Sequence, residues 1–166
     1  MKTKLVIWIS LSVVLFQCTT EEKLAKSPLW GIDYSEEGTT TYVQGAIEQQ
    51  NAGPKAIYIV SEGSLRCAQQ DLHTLSLKFE NGESLLLRIA KKTADNNYHF
   101  PGTESENQLV SAIFNGVPLD LAESSIAIQP HLGENKLHVI TNVHTLNAGD
   151  FNGTLSRIPL LKGEEL

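Results

Sequence analysis

The sequence is poor in positive charge, and no part of it gathers cations. It contains 13 Lys and Arg residues against 19 Asp and Glu residues, which gives a formal net charge of −6 at pH 7. Binding to nucleic acids depends on grouped lysine and arginine side chains that neutralise phosphates. The charge balance therefore argues against nucleic acid as a partner, and we expect none.

Long apolar runs are also missing. The hydrophobic segment near the start of the chain, residues 5–16 with the sequence LVIWISLSVVLF, is uncharged and has 12 residues, whereas a membrane-spanning helix needs about 20. Lys2 and Lys4 precede it, and a short apolar run after positive charge is typical of an export signal. We therefore predict a cleaved signal peptide at residues 1–17.

A cysteine follows directly after the predicted signal peptide. Cys18 has Leu15 three places upstream, and this arrangement resembles the lipobox of bacterial lipoproteins. The resemblance implies cleavage just before Cys18 and attachment of acyl chains such as palmitate to its thiol. A plain secretory peptide and a retained membrane helix are the alternatives. Apart from this covalent lipid, no cofactor is expected.

The residues after Cys18 bear on the membrane to which the protein is attached. Thr19 stands where many enterobacterial lipoproteins carry the aspartate that retains them in the inner membrane, so the outer membrane is favoured. Residues 19–23 (TTEEK) resemble the acidic tract of surface-exposed lipoproteins of Bacteroidetes-type bacteria, although a charged linker explains them equally well. We expect residues 18–29 to form the lipidated cysteine and a flexible tether, with the protein facing the periplasm or the cell surface.

One thiol is left for another role. If Cys18 carries lipid, Cys67 is the sole remaining cysteine, so no disulfide can form within the protein. A single thiol of this kind is most often a small buried core residue. An intermolecular bridge and a reactive nucleophile are the alternatives, and no local motif supplies a base for the nucleophile.

The rest of the sequence has the composition of one globular domain. The 166 residues are 41% hydrophobic and 19% charged, which is ordinary for a folded protein of this length. We assign the domain to residues 30–166.

From about residue 40 onward, apolar and polar residues alternate. Leu75, Leu77 and Phe79 alternate with polar residues, as in a strand with one buried face. Asn81–Gly82 then favours a turn, and SLLLRIA at 84–90 begins a second strand. This pattern predicts a β-hairpin.

Further strands are predicted along the sequence, at 56–60, 124–130, 136–143 and 151–160. Several short strands separated by turns indicate an all-β domain, either an antiparallel β-sandwich or a calycin-like barrel. Residues 104–114 fit a helix or a strand. Thr103 and Glu106 have the capping-box spacing that starts a helix, but the strand is favoured. The segment after Ser64 could form a short helix.

The closing strand carries a family resemblance. Gly149, Phe151, Gly153 and Leu155 form a G-x-F-x-G-x-L pattern that resembles the end of small outer-membrane lipoproteins of Bacteroidetes-type bacteria. The resemblance implies a compact β-sandwich or calycin-like barrel and no established activity. Packing alone also explains the pattern, because Phe151 and Leu155 would share a face and Gly153 would give either a bulge or room for a close neighbour.

The sequence offers few groups for chemistry. His131, Glu134 and His138 are the nearest approach to a metal-ligand set, and a solvated turn explains them better. There is no H-E-x-x-H motif, no phosphate-binding glycine loop and no G-x-S-x-G motif. We therefore predict no catalytic residue and no metal site.

Two aromatic clusters are candidate contacts for a ligand or partner. Trp30 and Tyr34 lie near the predicted tether, and Tyr98 and Phe100 lie in the run YHFPG. Exposed rings can bind sugars or anchor an interface, although core positions are the commoner explanation.

The favoured function is that of a noncatalytic membrane-anchored lipoprotein, an accessory or binding module whose partner is an envelope protein complex or a glycan. One alternative is a small envelope hydrolase whose site is assembled only in three dimensions. Another is a calycin-like barrel that holds a small apolar ligand. A cleft that gathers titratable side chains would favour an enzyme.

Overall fold

The computed structural model describes residues 29–36, 38, 42–67, 71–131 and 133–163. The predicted signal peptide, Cys18 and the predicted tether up to residue 28 lie outside these residues. The described residues form strands, turns and loops, without an α-helix. Among them, no helix is long and apolar enough to cross a membrane.

The described residues contain eleven strands. They are β1 (Gln44–Gln50), β2 (Ala56–Cys67), β3 (Leu72–Phe79), β4 (Ser84–Ala90), β5 (Asn97–Phe100), β6 (Gln108–Phe114), β7 (Val117–Pro118), β8 (Ser124–Pro130), β9 (Leu137–Thr145), β10 (Gly149–Ile158) and β11 (Leu160–Lys162).

Nine of these strands close into a barrel in the order β1-β10-β9-β8-β5-β6-β4-β3-β2, because β1 pairs with both β10 and β2. The neighbouring pairs are antiparallel except for β5 and β6, which are parallel. The short strands β7 and β11 lie outside the ring and pair with β6 and β2. The predicted all-β fold is confirmed, and of the two architectures left open the protein adopts the barrel.

The predicted hairpin is formed by β3 and β4. Leu75 faces Leu87 in the register, and the inward side chains of both strands are at most 2% exposed. The turn contains Gly82 at φ +85°, a conformation that glycine adopts without a steric penalty. Strict alternation therefore directs every second side chain of this hairpin into the barrel.

The barrel interior is filled with side chains. The largest fully buried ones come from strands all around the ring, and they are Tyr98, Phe79, Phe151, Ile47, Leu65, Leu75, Leu85, Leu87, Ile89, Leu109, Ile126 and Ile128. Burying apolar side chains of this size stabilises the fold by about 1.5–3 kcal/mol each. The interior is therefore a packed core.

The closing pattern is a packing feature of β10. Phe151 and Leu155 are fully buried, and Gly153 lies where a Cβ atom would come within 2.3 Å of the Ala46 carbonyl oxygen on β1 and 2.7 Å of Ile47 Cδ1. Only glycine leaves room for this approach. The expectation of a close neighbour at Gly153 is confirmed.

Both ambiguous segments contain strand within their described residues. Residues 108–114 form β6, while Glu106 N donates to Thr103 O in a turn, so the capping-box spacing does not start a helix. The short helix considered after Ser64 is wrong for residues 64–67, because Leu65 and Cys67 belong to β2 and point into the core. Pairing with β3 overrides the local preference.

Candidate functional site

An open polar cavity lies on the outer wall of the barrel, where β5, β8 and β9 are neighbours. Its volume is about 590 Å³. The lining residues are His99, Ala122, Glu123, Ser124, Ser125, Asn142 and His144. We name it the outer cavity.

The strand register places these residues together. His99 pairs with Ser125 between β5 and β8, and Ser125 pairs with Asn142 between β8 and β9, so the three side chains form one row across three strands. His144 is two residues beyond Asn142, and side chains two apart on a strand share a face. The row therefore gathers an imidazole, a hydroxyl and an amide beside a second imidazole.

His144 is held by a carboxylate on the next strand. Its Nδ1 lies 2.9 Å from Asp150 Oδ1, and the two residues are direct partners between β9 and β10. The hydrogen bond from His144, with a further one from Asn51, lowers the pKa of Asp150. With Nδ1 engaged, Nε2 is the ring nitrogen left for another contact.

The two serines of the cavity differ in their contacts. Ser124 is 4% exposed; its hydroxyl donates to Ala122 O at 2.9 Å and accepts from His144 N at 2.9 Å. Ser125 lies on the outward face of β8 between His99 and Asn142. Ser124 therefore stabilises the floor of the cavity, and Ser125 presents its hydroxyl at the surface.

A second cavity, of about 570 Å³, lies along the outside of β2 and β3. It contains no histidine, and Lys78 and Glu62 in its lining already pair with each other at 3.6 Å. The outer cavity therefore offers the richer set of groups for binding or proton transfer.

A different group of polar side chains lies inside one part of the barrel. Cys67 and His73 face each other between β2 and β3, and Trp30 packs edge-on against His73 with the ring centroids 5.2 Å apart. The Lys91 ammonium lies 5.3 Å from the Trp30 ring centroid and 5.7 Å from that of Tyr98. All five are at most 8% exposed. We name them the buried polar cluster.

Hydrogen bonds fix the loop beside this cluster. Lys91 Nζ donates to Asp95 O at 2.7 Å and to Asn96 Oδ1 at 3.3 Å. Asn107, which is 3% exposed, accepts from Lys92 N and Thr93 N and donates to the Asp95 carbonyl. The buried ammonium and amide thus satisfy main-chain groups of the connection from β4 to β5.

Burial disfavours the charged forms of the titratable groups in the cluster. It raises the pKa of the Cys67 thiol to about 11 and lowers the pKa of His73 to about 4. It also raises the pKa of Tyr98 and lowers that of Lys91. Near neutral pH the thiol is not a thiolate and the imidazole is uncharged, so Cys67 is not activated as a nucleophile. Cys67 is the buried free thiol that the sequence predicts.

The four predicted aromatic contacts are mostly turned inward. Trp30 is 5% exposed and Tyr98 is fully buried, whereas Tyr34 and Phe100 are partly buried against the core. The described surface thus leaves Tyr34 and Phe100 as the members that a partner could touch, and such contact stays a prediction. Cys18 lies outside the described residues.

The residues that come nearest to a metal-ligand set in the sequence lie at the connection between β8 and β9, and they are His131, Glu134 and His138. The His131 and His138 rings are 6.3 Å apart, and Glu134 pairs with Arg157 at 3.0 Å. Within the described ranges no three His, Cys, Asp or Glu residues are grouped so that they could hold a metal ion.

Sequence reasoning missed the outer cavity, because its residues come from three strands. The one local signal is the pair His144 and Asp150, which face each other across the turn at 146–148. Comparisons with protein-family models, with curated proteins and with solved structures give no significant match to this protein.

Proposed function

We propose that this protein is a noncatalytic lipoprotein, anchored at the bacterial outer membrane through Cys18, and that its barrel is an accessory or binding module. The lipobox-like sequence before Cys18 supports the anchor. The barrel fold agrees with a binding module of the calycin-like kind.

The observation that carries this proposal is the contrast between a filled interior and an open outer wall. Fully buried apolar side chains occupy the inside of the barrel, whereas the outer cavity is open and polar. A ligand bound inside would have to displace core side chains, which costs about 2–5 kcal/mol for each large one. We therefore assign recognition to the outer wall and not to an apolar ligand inside the barrel.

The chemistry of the outer cavity suits a partner rich in hydrogen-bonding groups. Asn142 and Ser125 each offer a donor and an acceptor, and Glu123 offers only acceptors. An envelope glycan and the polar surface of an envelope protein complex both have this character.

The acyl chains would supply the membrane attachment. Removal of residues 1–17, which contain two lysines and no acid, leaves 11 cations against 19 anions, a net charge of −8. An acidic body gains nothing from anionic lipids, while each buried acyl methylene contributes about 0.8 kcal/mol.

A specific observation supports a second candidate, a small envelope hydrolase. The bond between His144 and Asp150 orients an imidazole, and Ser125 presents a hydroxyl in the same cavity. A nucleophile, a base and an orienting carboxylate are the parts of a serine hydrolase. Hydrolysis of simple esters that is lost in both Ser125→Ala and His144→Gln would favour this enzyme over the binding module.

The anchor is tested by metabolic labelling with palmitate in a bacterial host. We expect label in the wild-type protein and none in Cys18→Ala. Ser64→Ala, a change on the outside of the domain, is the matched control and should retain the label. The proposed anchor would be overturned by label in Cys18→Ala, or by a wild-type protein that is unlabelled and recovered in the soluble fraction.

A further inference from the structure

The sequence contains three Asn-Gly dipeptides, and two of them form exposed turns. Asn81–Gly82 connects β3 to β4, and Asn115–Gly116 connects β6 to β7. The third, Asn152–Gly153, lies within β10.

Asn-Gly sequences have an intrinsic chemistry. The glycine main-chain nitrogen attacks the amide carbon of the asparagine side group, since glycine has no Cβ to obstruct it. A new carbon–nitrogen bond forms as the glycine nitrogen loses its proton. The bond from that carbon to the amide nitrogen breaks, and this nitrogen takes up a proton and leaves as ammonia. Water then opens the resulting five-membered succinimide to aspartate or isoaspartate.

One carboxylate holds the amides of both turns. Asn81 Nδ2 donates to Glu83 Oε2 at 2.6 Å, and Asn115 Nδ2 donates to Glu83 Oε1 at 2.9 Å. The side-chain oxygens are engaged as well, since Glu83 N donates to Asn81 Oδ1 at 3.1 Å and Ser84 N donates to Asn115 Oδ1 at 2.8 Å. Glu83 therefore connects the two turns through bonds to a charged acceptor, which are stronger than neutral ones.

These bonds oppose the attack. The asparagine amide must rotate toward the following main-chain nitrogen and give up its contacts before the succinimide can form. Removing the Glu83 carboxylate frees the amide nitrogens of both side chains together, because each of its oxygens accepts from one of them.

The third dipeptide is protected by the sheet. Asn152 and Gly153 are paired with strands on both sides, β9 and β1. Gly153 lies so close to β1 that an added Cβ would come within 2.3 Å of Ala46 O. An extended and paired backbone cannot fold back into a five-membered ring without local unfolding.

We propose that Asn81 and Asn115 are the deamidation sites of this protein and that Glu83 sets the rate at both. Conversion places a new carboxylate beside the carboxylate of Glu83. The like charges repel each other and the amide donor is gone, so the connection between the two turns is lost. The modification thereby loosens the end of the barrel at which β3, β4, β6 and β7 turn.

The test compares the full-length protein in three forms: wild type, Glu83→Ala and Glu80→Ala. Glu80 is an exposed carboxylate of the same turn and holds neither amide, so it is the matched control. Each protein is incubated at mildly alkaline pH, and peptide mapping by mass spectrometry follows amide-to-acid conversion at all three dipeptides. Circular dichroism checks that each variant remains folded.

We expect conversion at Asn81 and Asn115 to be several-fold faster in Glu83→Ala than in the wild type or in Glu80→Ala, with Asn152 unchanged in every folded sample. Equal rates in Glu83→Ala and the wild type would overturn the role of Glu83. The absence of conversion at both turns in Glu83→Ala, or conversion at Asn152 as fast as at the turns, would overturn the assignment of the sites.

Discussion

The outer cavity and the buried polar cluster both contain histidine, yet the surroundings of the imidazoles differ. The outer cavity combines His99, Ser125 and His144 at an open surface, and His144 has an ionised partner in Asp150. The buried polar cluster combines His73 with groups that are at most 8% exposed. Solvent exposure and hydrogen-bond partners, and not the residue type alone, therefore distinguish a histidine that can bind a ligand from one that supports the fold.

The largest effect on stability is expected from the loss of a buried amide, that of Asn107. Asn107→Ala leaves Lys92 N and Thr93 N without their acceptor and the Asp95 carbonyl without a donor. We expect a loss of about 3 kcal/mol in the free energy of unfolding, since three hydrogen bonds of the Asn107 amide are lost and each contributes about 0.5–1.5 kcal/mol. Urea denaturation measures it.

The matched control is the amide of the outer cavity. Asn142→Ala should change the free energy of unfolding by less than about 0.5 kcal/mol, as expected for a surface site. Equal losses in the two variants would show that burial does not separate the regions.

The second prediction concerns acid stability. Burial lowers the pKa of His73 from 6.5 to about 4; the nearby Lys91 ammonium acts in the same direction and the Asp71 carboxylate opposes it. The unfolded protein therefore binds this proton more readily than the folded protein. The contribution of His73 to stability is complete above pH 6.5 and is lost as the pH falls toward 4, by on the order of 2–3 kcal/mol.

His73→Phe should remove this part of the pH dependence, because phenylalanine fills the site and takes up no proton. Denaturation midpoints measured across the same pH range test it. His138→Gln, on the outer face of β9, is the control and should retain the wild-type slope. A wild-type slope in His73→Phe would mean that other groups cause the acid sensitivity.

A smaller effect on stability is expected at the outer cavity. Asp150→Asn weakens the pair with His144, whose side chain is 45% exposed, so the free energy of unfolding should fall by less than about 1 kcal/mol. Binding to the partner should nevertheless decrease, because His144 is no longer oriented. Asp120→Asn, outside the cavity lining, is the control and should leave binding unchanged. Equal binding by both variants would show that His144 does not take part in recognition.

The smallest signal is expected from the buried thiol. With its pKa raised to about 11, Cys67 should resist alkylation near neutral pH in the folded protein and react readily after denaturation. Mass spectrometry of Cys18→Ala, in which Cys67 is the only thiol, gives the measurement. Rapid labelling of the folded protein would show that Cys67 is a reactive thiol and not a structural one.

Local pattern was sufficient for the parts of the fold that depend on neighbouring residues. Leu75, Leu77 and Phe79 alternate with polar residues, and Asn81–Gly82 marks the turn, so the β3–β4 hairpin could be read directly. In LVSAIF, residues 109–114, five of the six residues are apolar, and their period alone could not separate helix from strand.

Barrel closure and the outer cavity could not be predicted, because both depend on distant pairings. β1 closes the ring by pairing with β10, about a hundred residues later in the sequence. His99, Ser125 and Asn142 become neighbours only after β5, β8 and β9 align. No local sequence pattern indicates how β5, β8 and β9 align.

Photo-crosslinking in native membranes tests the role of the outer cavity most directly, with a photoreactive amino acid at position 142 in the cavity or at position 154 on the outward face of β10. We expect a discrete crosslinked envelope component from position 142 and none from position 154. The same product from both positions, or a product from position 154 alone, would contradict the assignment of recognition to the outer cavity.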